Sequence, residues 1–227
     1  MKARLGLLTI GQAPRPDGLA RDVASVVGDG VEVIERGALD GLASGDLVAL
    51  RPGDADDALV TLLADGSNVV ITKAAVVDRL QHHIDELERD AVDAILLMCT
   101  GAFPTFRHQV PLIAPQEVLY AAVRAVAGDG RVGSVTPLQR QVDAAKQRWQ
   151  RQGVVAPLVV AADPYGPDPV AAVRGAAESL RAGGARVCFL DCFGFDLAMR
   201  DAARSAFAGP VVLARSLAAR VAAEVMA

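Results

Sequence analysis

Two of the three cysteines in the chain lie in closely similar sequences. Cys99 follows the apolar run "ILLM" and Cys192 follows "VCFLD", and in each case a glycine comes two residues later. The thiolate is the reactive form of cysteine, and nearby backbone N–H groups favour it against an ordinary pKa of about 8.5. A cysteine at the end of a buried strand is therefore well placed for chemistry. One such cysteine suits a nucleophile, whereas a facing pair suits a different reaction.

Two cysteines on opposite sides of one carbon atom can act as a general base and a general acid. One thiolate removes a proton from the carbon, the opposing thiol returns a proton to the other face, and the roles exchange in the reverse direction. If each sulfur lies roughly 3–3.5 Å from that carbon, the two sulfurs are about 7 Å apart. The alternative is that Cys99 and Cys192 are ordinary buried cysteines. We expect Cys188, which lies inside a predicted strand, to belong to the core.

The loop after the first predicted strand, "GQAPR", contains donors for an anionic substrate in Gln12 and Arg15. A guanidinium is the usual bidentate partner of a carboxylate. The prolines around Arg15 fix the loop and favour a ligand-binding role. The alternative is a solvated loop arginine.

Further substrate anchors are expected beside the two cysteines. Thr100 and the backbone of Gly101 follow Cys99, and Thr136 occupies the corresponding loop of the second half of the chain. Backbone N–H groups at Gly101 and Gly194 could stabilise the negative charge that develops on an enolate. Thr136 could instead serve only as a helix cap.

Other polar residues are weaker candidates. His82 and His83 are adjacent in a predicted helix and point to diverging faces, so we expect them at the surface. His108 could pair with Cys99, but nothing in the sequence fixes that geometry. Arg200 could reach a ligand or form a surface salt bridge. The chain has no Cys/His cluster at zinc-ligand spacing and no glycine-rich phosphate loop, so we expect neither a metal nor a nucleotide cofactor.

The elements that position these residues alternate between apolar runs rich in β-branched residues and alanine-rich runs with helical period. This alternation is typical of α/β folds with a mainly parallel sheet. We predict strands over residues 4–10, 31–36, 91–99, 131–135, 154–162, 185–192 and 210–214. We predict helices over 18–27, 74–90, 138–152, 168–184 and 216–225, with Asp17, Thr136 and Asp168 as caps. Residues 59–72 predict a β-hairpin around an Asp-Gly turn.

Both halves of the chain run from a strand through a loop and a helix to a strand that ends in Cys-X-Gly. The pattern predicts two similar α/β lobes with mainly parallel sheets, related by a pseudo-twofold axis. We place them at residues 1–112, which include the hairpin, and 113–227. Ligands of α/β sheets bind beyond the carboxyl ends of the strands, so we expect an active-site cleft between the lobes.

Composition narrows the class of protein. The 227 residues are 52% hydrophobic and 22% charged, which is enough for a sizeable core. A net charge of −4 and an aromatic content of 4% argue against a nucleic acid or an anionic membrane as partner. No apolar run is long enough for a signal peptide or a membrane span. We therefore expect a cytoplasmic protein with free thiols.

The motifs resemble those of the AroM family. The similarity lies in "TIGQAPRPD", in the 59–72 hairpin followed by Lys73, and in "LLMCTGAF" and "LDCFGF". The two-cysteine pattern also resembles the wider aspartate/glutamate (hydantoin) racemase superfamily. The resemblance covers nearly the whole chain and implies an aspartate/glutamate racemase-like fold, no pyridoxal phosphate or other cofactor, and a homodimer. Some relatives replace the first cysteine by serine, whereas both cysteines are present here.

Together these features predict a cofactor-independent racemase or isomerase that acts on a small acid. Cys99 and Cys192 would transfer a proton at the carbon next to a carboxylate. One alternative is a single-cysteine isomerase, lyase or decarboxylase of the same superfamily. Another is a non-catalytic protein that binds small acids, because a fold alone does not establish a reaction.

Overall fold

The computed structural model describes residues 2–54 and 57–227. Its helices and strands are, in chain order, β1 (Ala3–Thr9), α1 (Leu19–Val27), β2 (Val31–Gly37), α2 (Ser44–Val48), β3 (Ala58–Leu62), β4 (Asn68–Thr72), α3 (Ala74–Arg89), β5 (Ala94–Leu97), β6 (Leu112–Ile113), α4 (Gln116–Ala127), β7 (Arg131–Thr136), α5 (Val142–Arg151), β8 (Leu158–Ala161), α6 (Pro169–Ala182), β9 (Ala185–Leu190), α7 (Leu197–Phe207), β10 (Val211–Leu213) and α8 (Ala214–Met226). No helix among these residues is long and apolar enough to cross a membrane.

The chain forms two compact units. The first comprises the residues up to Pro115 together with Ala218–Ala227, and the second comprises Gln116–Leu217. The boundary between the two units lies after Pro115, three residues later than the boundary after residue 112 that we predicted from the sequence. The last ten residues cluster with the first unit, although they follow the second in the chain.

The first unit is built on a parallel sheet with the strand order β2-β1-β5-β6. Its central strands β1 and β5 are aligned so that Leu8 lies beside Leu97. Every residue of β5 is buried, as expected for a strand inside a parallel sheet with both faces covered. Helix α3 packs against β1 and β2, and its buried Leu80, Ile84 and Leu87 join the same core.

The second unit repeats this topology. Its parallel sheet has the order β10-β9-β7-β8. When the strands are numbered within each four-stranded sheet, both sheets have the order second, first, third, fourth. Cys99 follows the third strand of the first sheet, and Cys192 follows the third strand of the second. The prediction of an α/β protein with two similar parallel sheets is confirmed.

The predicted hairpin is also confirmed. Strands β3 and β4 are antiparallel, and Gly66 in their turn adopts a φ of 85°, which glycine tolerates without steric cost. The hairpin is attached to the loop after β1, because the backbone N–H of Gln12 donates to the Leu62 carbonyl at 3.1 Å. The Gln12 side-chain oxygen accepts from the Ala64 N–H at 3.0 Å.

Two of the three predicted helix caps are wrong. Thr136 is the last residue of β7, and α5 starts at Val142 after a short 3-10 turn at Gln139–Gln141. The N-cap of α1 is Gly18, while Asp17 forms an ion pair with Arg15. The cap at α6 is confirmed, because the Asp168 carboxylate accepts the Ala171 N–H at 3.0 Å.

Several elements were not predicted from the sequence. Helices α2, α4 and α7 and strand β6 are absent from the prediction, and α4 lies in a segment that we interpreted as a crossover.

His82 and His83 of α3 were both predicted to lie at the surface, and this prediction is wrong for His83. His82 is exposed, but His83 is buried and its Nδ1 lies 2.9 Å from Glu86 Oε2. This hydrogen bond lowers the pKa of the Glu86 carboxyl below its ordinary value.

Gly11 is the tightest point in the attachment of the hairpin to the loop after β1. A side-chain carbon added there would overlap the Leu62 carbonyl oxygen and the Thr61 hydroxyl. We predict that Gly11→Ala lowers the free energy of unfolding by roughly 1–3 kcal/mol, because the hairpin must move away. Gly30→Ala is the matched control, since nothing lies within 4 Å of the added carbon at that position. Urea unfolding of both variants checks this, and equal stabilities would contradict the described packing.

Candidate active site

Cys99 lies directly beyond strand β5 in the first unit. The residue is 8% exposed and belongs to the apolar cluster that contains Leu59 and Phe106. The backbone turns immediately after it, and the N–H of Gly101 donates to the Cys99 sulfur at 3.4 Å. A sulfur that accepts a backbone N–H is electrostatically suited to carry negative charge.

Cys192 occupies the equivalent position in the second unit, beyond strand β9. Cys192 is half-buried, and the N–H of Gly194 donates to the Cys192 sulfur at 3.3 Å. Gly194 has little space around it, because an added side-chain carbon would lie 2.5 Å from the Tyr165 hydroxyl oxygen. Each Cys-X-Gly sequence thus forms the same turn, with the glycine N–H on the sulfur.

A buried threonine ends the strand beside each cysteine. The N–H of Met98 donates to the Leu8 carbonyl at 2.8 Å, and the N–H of Asp191 donates to the Val135 carbonyl at 2.9 Å. Thr9 and Thr136 are the next residues along those neighbouring strands, so they hold equivalent positions in the two units. Thr136 was predicted from the sequence as a site residue, whereas Thr9 was not. Thr9 could have been found in the sequence, because the first predicted strand of each half contains or adjoins a threonine at its carboxyl end.

The predicted anchors Arg15 and Gln12 both contact protein groups. The side chain of Arg15 is 2% exposed and pairs with the Asp17 carboxylate at 2.8 Å. Its Nη1 also donates to the hydroxyls of Thr9 and Thr61, at 3.2 and 3.3 Å. The Gln12 amide nitrogen donates to two backbone carbonyls, those of Leu39 and Leu42. These contacts join the loop after β1 to the hairpin, and a role in holding substrate stays a prediction.

The remaining predicted candidates differ in their exposure and in their hydrogen-bond partners. Thr100 is half-buried beside Cys99. The hydroxyl of Thr136 donates to Gln141 Oε1 at 2.9 Å. His108 is exposed, and its Nδ1 lies 2.9 Å from the Val110 carbonyl. Arg200 pairs with Asp201 at 2.9 Å, which is the surface salt bridge that we gave as one alternative.

A buried polar cluster precedes Cys192 and was not predicted. The Asp191 side chain is 1% exposed, and its Oδ2 accepts the Tyr120 hydroxyl at 2.7 Å. Arg148 Nε donates to the same hydroxyl at 3.3 Å, and its Nη2 lies 4.0 Å from Asp191. Burial is the main cause that raises the pKa of the Tyr120 hydroxyl, and the negative charge of Asp191 is the second. The hydroxyl therefore remains protonated and acts as a neutral hydrogen-bond donor. The signal in the sequence was an acidic residue at the end of an otherwise apolar strand.

Arg215 was also missed. It lies in the first turn of α8, is 1% exposed, and donates to the Phe193 carbonyl from Nε at 3.1 Å and from Nη2 at 2.8 Å. This carbonyl belongs to the turn that carries Cys192. Arg215 could have been found in the sequence as the one charged residue in the otherwise largely apolar stretch "VVLARSLAA".

The second unit also contains a depression of about 610 Å³ that has none of the predicted site residues in its lining. It is lined by the end of α4 and the start of β7, including Arg124, Asp129 and Arg131. This is the amino end of the strand. Ligands of parallel α/β sheets bind at the opposite, carboxyl end, where Thr136 and Cys192 lie. We therefore place the candidate site at the cysteines.

The three thiols differ in environment, and we predict that they differ in reactivity. Burial raises the pKa of Cys188 to about 12, so its thiol stays protonated in neutral and mildly alkaline buffer. Iodoacetamide should modify Cys192 first and leave Cys188 unmodified until the protein unfolds, as measured by peptide mass spectrometry. Modification of Cys188 at the rate of Cys192 in folded protein would contradict the described burial.

The Tyr120 hydroxyl should contribute to stability through Asp191. Tyr120→Phe keeps the ring stacked on Trp149, where the centroids are 4.1 Å apart, but removes a donor to a buried carboxylate. We predict a loss of about 1–3 kcal/mol in the free energy of unfolding, measured by urea denaturation. Tyr165→Phe is the matched control, because water can replace a partner of its half-buried side chain. The interpretation is wrong if both variants lose the same stability.

Solved structures with a similar fold include racemases and a decarboxylase. Allantoin racemase from Klebsiella pneumoniae matches with a TM-score of 0.65 and 18% identity over 98% of this chain and 86% of that chain. Glutamate racemase from Francisella tularensis subsp. tularensis SCHU S4 in complex with D-glutamate matches with a TM-score of 0.59 and 12% identity, over 99% and 81% of the two chains. Arylmalonate decarboxylase matches with a TM-score of 0.60 and 13% identity, over 99% and 92%.

These identities are low, and the comparison shows that the fold is shared with aspartate/glutamate racemase-like proteins. A search of curated proteins finds no match. The family model described as "AroM protein" matches residues 5–226, which is nearly the whole chain. The fold, the two Cys-X-Gly turns and this match agree with the resemblance found in the sequence, and the chain belongs to the AroM family.

Proposed function

We propose that this protein is a cofactor-independent racemase or isomerase that transfers a proton at the carbon next to a carboxylate of a small acid. One observation carries the proposal. Cys99 and Cys192 follow the third strand of two sheets with the same strand order, and each sulfur accepts the N–H of the glycine two residues later. This repetition supports two groups with matching chemical roles.

The proposed reaction is a proton transfer through carbon. The thiolate of one cysteine takes the hydrogen from the substrate carbon as a proton, and the electron pair of the broken bond moves into the carboxylate to form an enolate. The thiol of the other cysteine then donates a proton to the opposite face, and the electron pair returns to carbon. The enzyme ends with its proton on the first cysteine, and no electrons are gained or lost. This sequence requires no cofactor.

The turn geometry is suited to this exchange of roles. Each cysteine must be stable as a thiolate in one direction of the reaction and as a thiol in the other. The N–H groups of Gly101 and Gly194, at 3.4 and 3.3 Å from the sulfurs, stabilise the charged form of each cysteine through a hydrogen bond. Thr100, Thr136, Arg15 and Gln12 remain our candidates for contacts with the substrate carboxylate.

A second candidate function is favoured by the unequal exposure of the two thiols. Cys99 is 8% exposed, whereas Cys192 is half-buried and hence more accessible. Single-cysteine chemistry, as an isomerase, lyase or decarboxylase, would place the reacting group at Cys192. The similarity to arylmalonate decarboxylase is consistent with this alternative only at the level of the fold.

Isotope exchange distinguishes these functions. We predict that the protein, incubated in deuterium oxide with a panel of small α-substituted acids, introduces deuterium at the α-carbon of at least one of them, as measured by mass spectrometry. Cys99→Ala and Cys192→Ala should each lower the exchange rate by roughly 10²–10⁴-fold, because each removes one acid/base group. Cys188→Ala is the matched control and should retain the rate per folded molecule, since this buried thiol lies inside β9.

The other outcomes contradict the two-cysteine proposal in different ways. Exchange or product formation that survives the loss of Cys99 but not of Cys192 would establish single-cysteine chemistry. Tight binding of an acid without exchange or turnover, unaffected by either substitution, would establish a binding protein.

A further inference from the structure

The peptide group between Phe193 and Gly194 joins a buried charge to the sulfur of Cys192. Its carbonyl accepts two N–H groups of the Arg215 guanidinium, at 3.1 and 2.8 Å. Its N–H donates to the Cys192 sulfur at 3.3 Å. Both ends of one rigid, planar amide are therefore engaged, one by a cation and the other by the thiol.

Hydrogen bonds in such a chain strengthen one another. A cation on a carbonyl oxygen draws electron density toward the oxygen and makes the N–H of the same amide a stronger donor. Charge-assisted hydrogen bonds are roughly twice as strong as neutral ones, and the low dielectric around buried groups increases the effect. Arg215 is 1% exposed and Phe193 is 3% exposed, so little water screens this contact.

The glycine of this amide also has little free space around it. An added carbon at Gly194 would lie 2.5 Å from the Tyr165 hydroxyl oxygen and 2.9 Å from a ring carbon of Pro164. The amide is thus held by Arg215 at its carbonyl, and its glycine packs closely against the Pro164–Tyr165 segment. An arginine suits this position because its planar fork fixes the direction of both donors, which the flexible ammonium of lysine does not.

We propose that Arg215 is a positioning residue for Cys192. It acts through the Phe193–Gly194 amide, which it holds and polarises so that the Gly194 N–H stabilises negative charge on the Cys192 sulfur. The catalytic meaning of this role rests on the proposed function, whereas its effect on thiol reactivity does not.

The test is the rate at which iodoacetamide alkylates Cys192 in the full-length folded protein at near-neutral pH, followed by peptide mass spectrometry. We expect Arg215→Met to slow the alkylation about threefold or more, because the weaker Gly194 N–H donor lowers the thiolate fraction of Cys192, while the higher intrinsic nucleophilicity of a less acidic thiol offsets part of that loss. Arg215→Lys should restore part of the rate because it restores the positive charge. Arg220→Met is the matched control, since this arginine is exposed on the same helix.

The direction in which the alkylation rate of Cys192 changes distinguishes a positioning role of Arg215 from a purely structural role. If Arg215 only held the turn in place, its loss would loosen the turn and expose Cys192, so alkylation would become faster and lysine would not rescue the rate. Either result overturns the proposal. Protection of Cys188 in the same samples reports that the second unit remains folded.

A spectroscopic measurement keeps the proposal testable if Arg215→Met does not fold. In protein with isotope-labelled glycine, the Gly194 amide proton should move upfield in Arg215→Lys, because lysine cannot reproduce the two-donor contact of the guanidinium with the carbonyl and so polarises the amide less. An unchanged Gly194 resonance would overturn the proposal. Slower alkylation in Arg215→Met without deuterium exchange into any acid would support the positioning role and contradict the proposed function, so the two can fail separately.

Discussion

The candidate site depends on one constraint, which is that the backbone after an internal strand must fold back onto a sulfur two residues earlier. In the second unit the glycine at that point is needed for space, because an added side-chain carbon at Gly194 would lie 2.5 Å from the Tyr165 hydroxyl. At Gly101 an added carbon would be in ordinary contact, 3.4 Å from the sulfur and from Phe103. The same turn follows the third strand of both sheets, because the two units repeat one strand order. Topology and local sequence therefore specify the turn together.

Buried polar contacts hold each turn and its neighbours in place. In the first unit, Arg15 connects the loop after β1 to Thr61 of the hairpin and to Thr9 at the end of the strand beside Cys99. In the second, Tyr120 donates to Asp191 immediately before Cys192, and Arg215 donates to the carbonyl immediately after it. An unsatisfied buried charge costs more than a lost surface contact, so these networks fix the loops strongly. Rigid loops suit a reaction that requires two sulfurs at a set distance from one carbon.

The parts of the fold that local sequence determines were predictable. The apolar strands, the Asp-Gly hairpin and the Asp168 cap each depend on residues close together in the chain, and the Cys-X-Gly repeat indicated the two turns. The partners of the polar residues were not predictable, because they are distant in sequence. Tyr120 lies 71 residues from Asp191, and Arg215 lies 22 residues from Phe193. The cap expected at Thr136 was wrong because a 3-10 turn precedes the helix, and the cap expected at Asp17 was wrong because this carboxylate pairs with Arg15.

The central claim is that Cys99 and Cys192 act on one carbon atom from opposite faces. The most direct test is the distance between the two sulfur atoms in a crystal structure of the protein with a small acid bound. We predict a separation of about 7 Å, with the α-carbon of the acid between the sulfurs and roughly 3–3.5 Å from each. A separation far above the sum of those two contacts, with the acid beside only one sulfur, would contradict it.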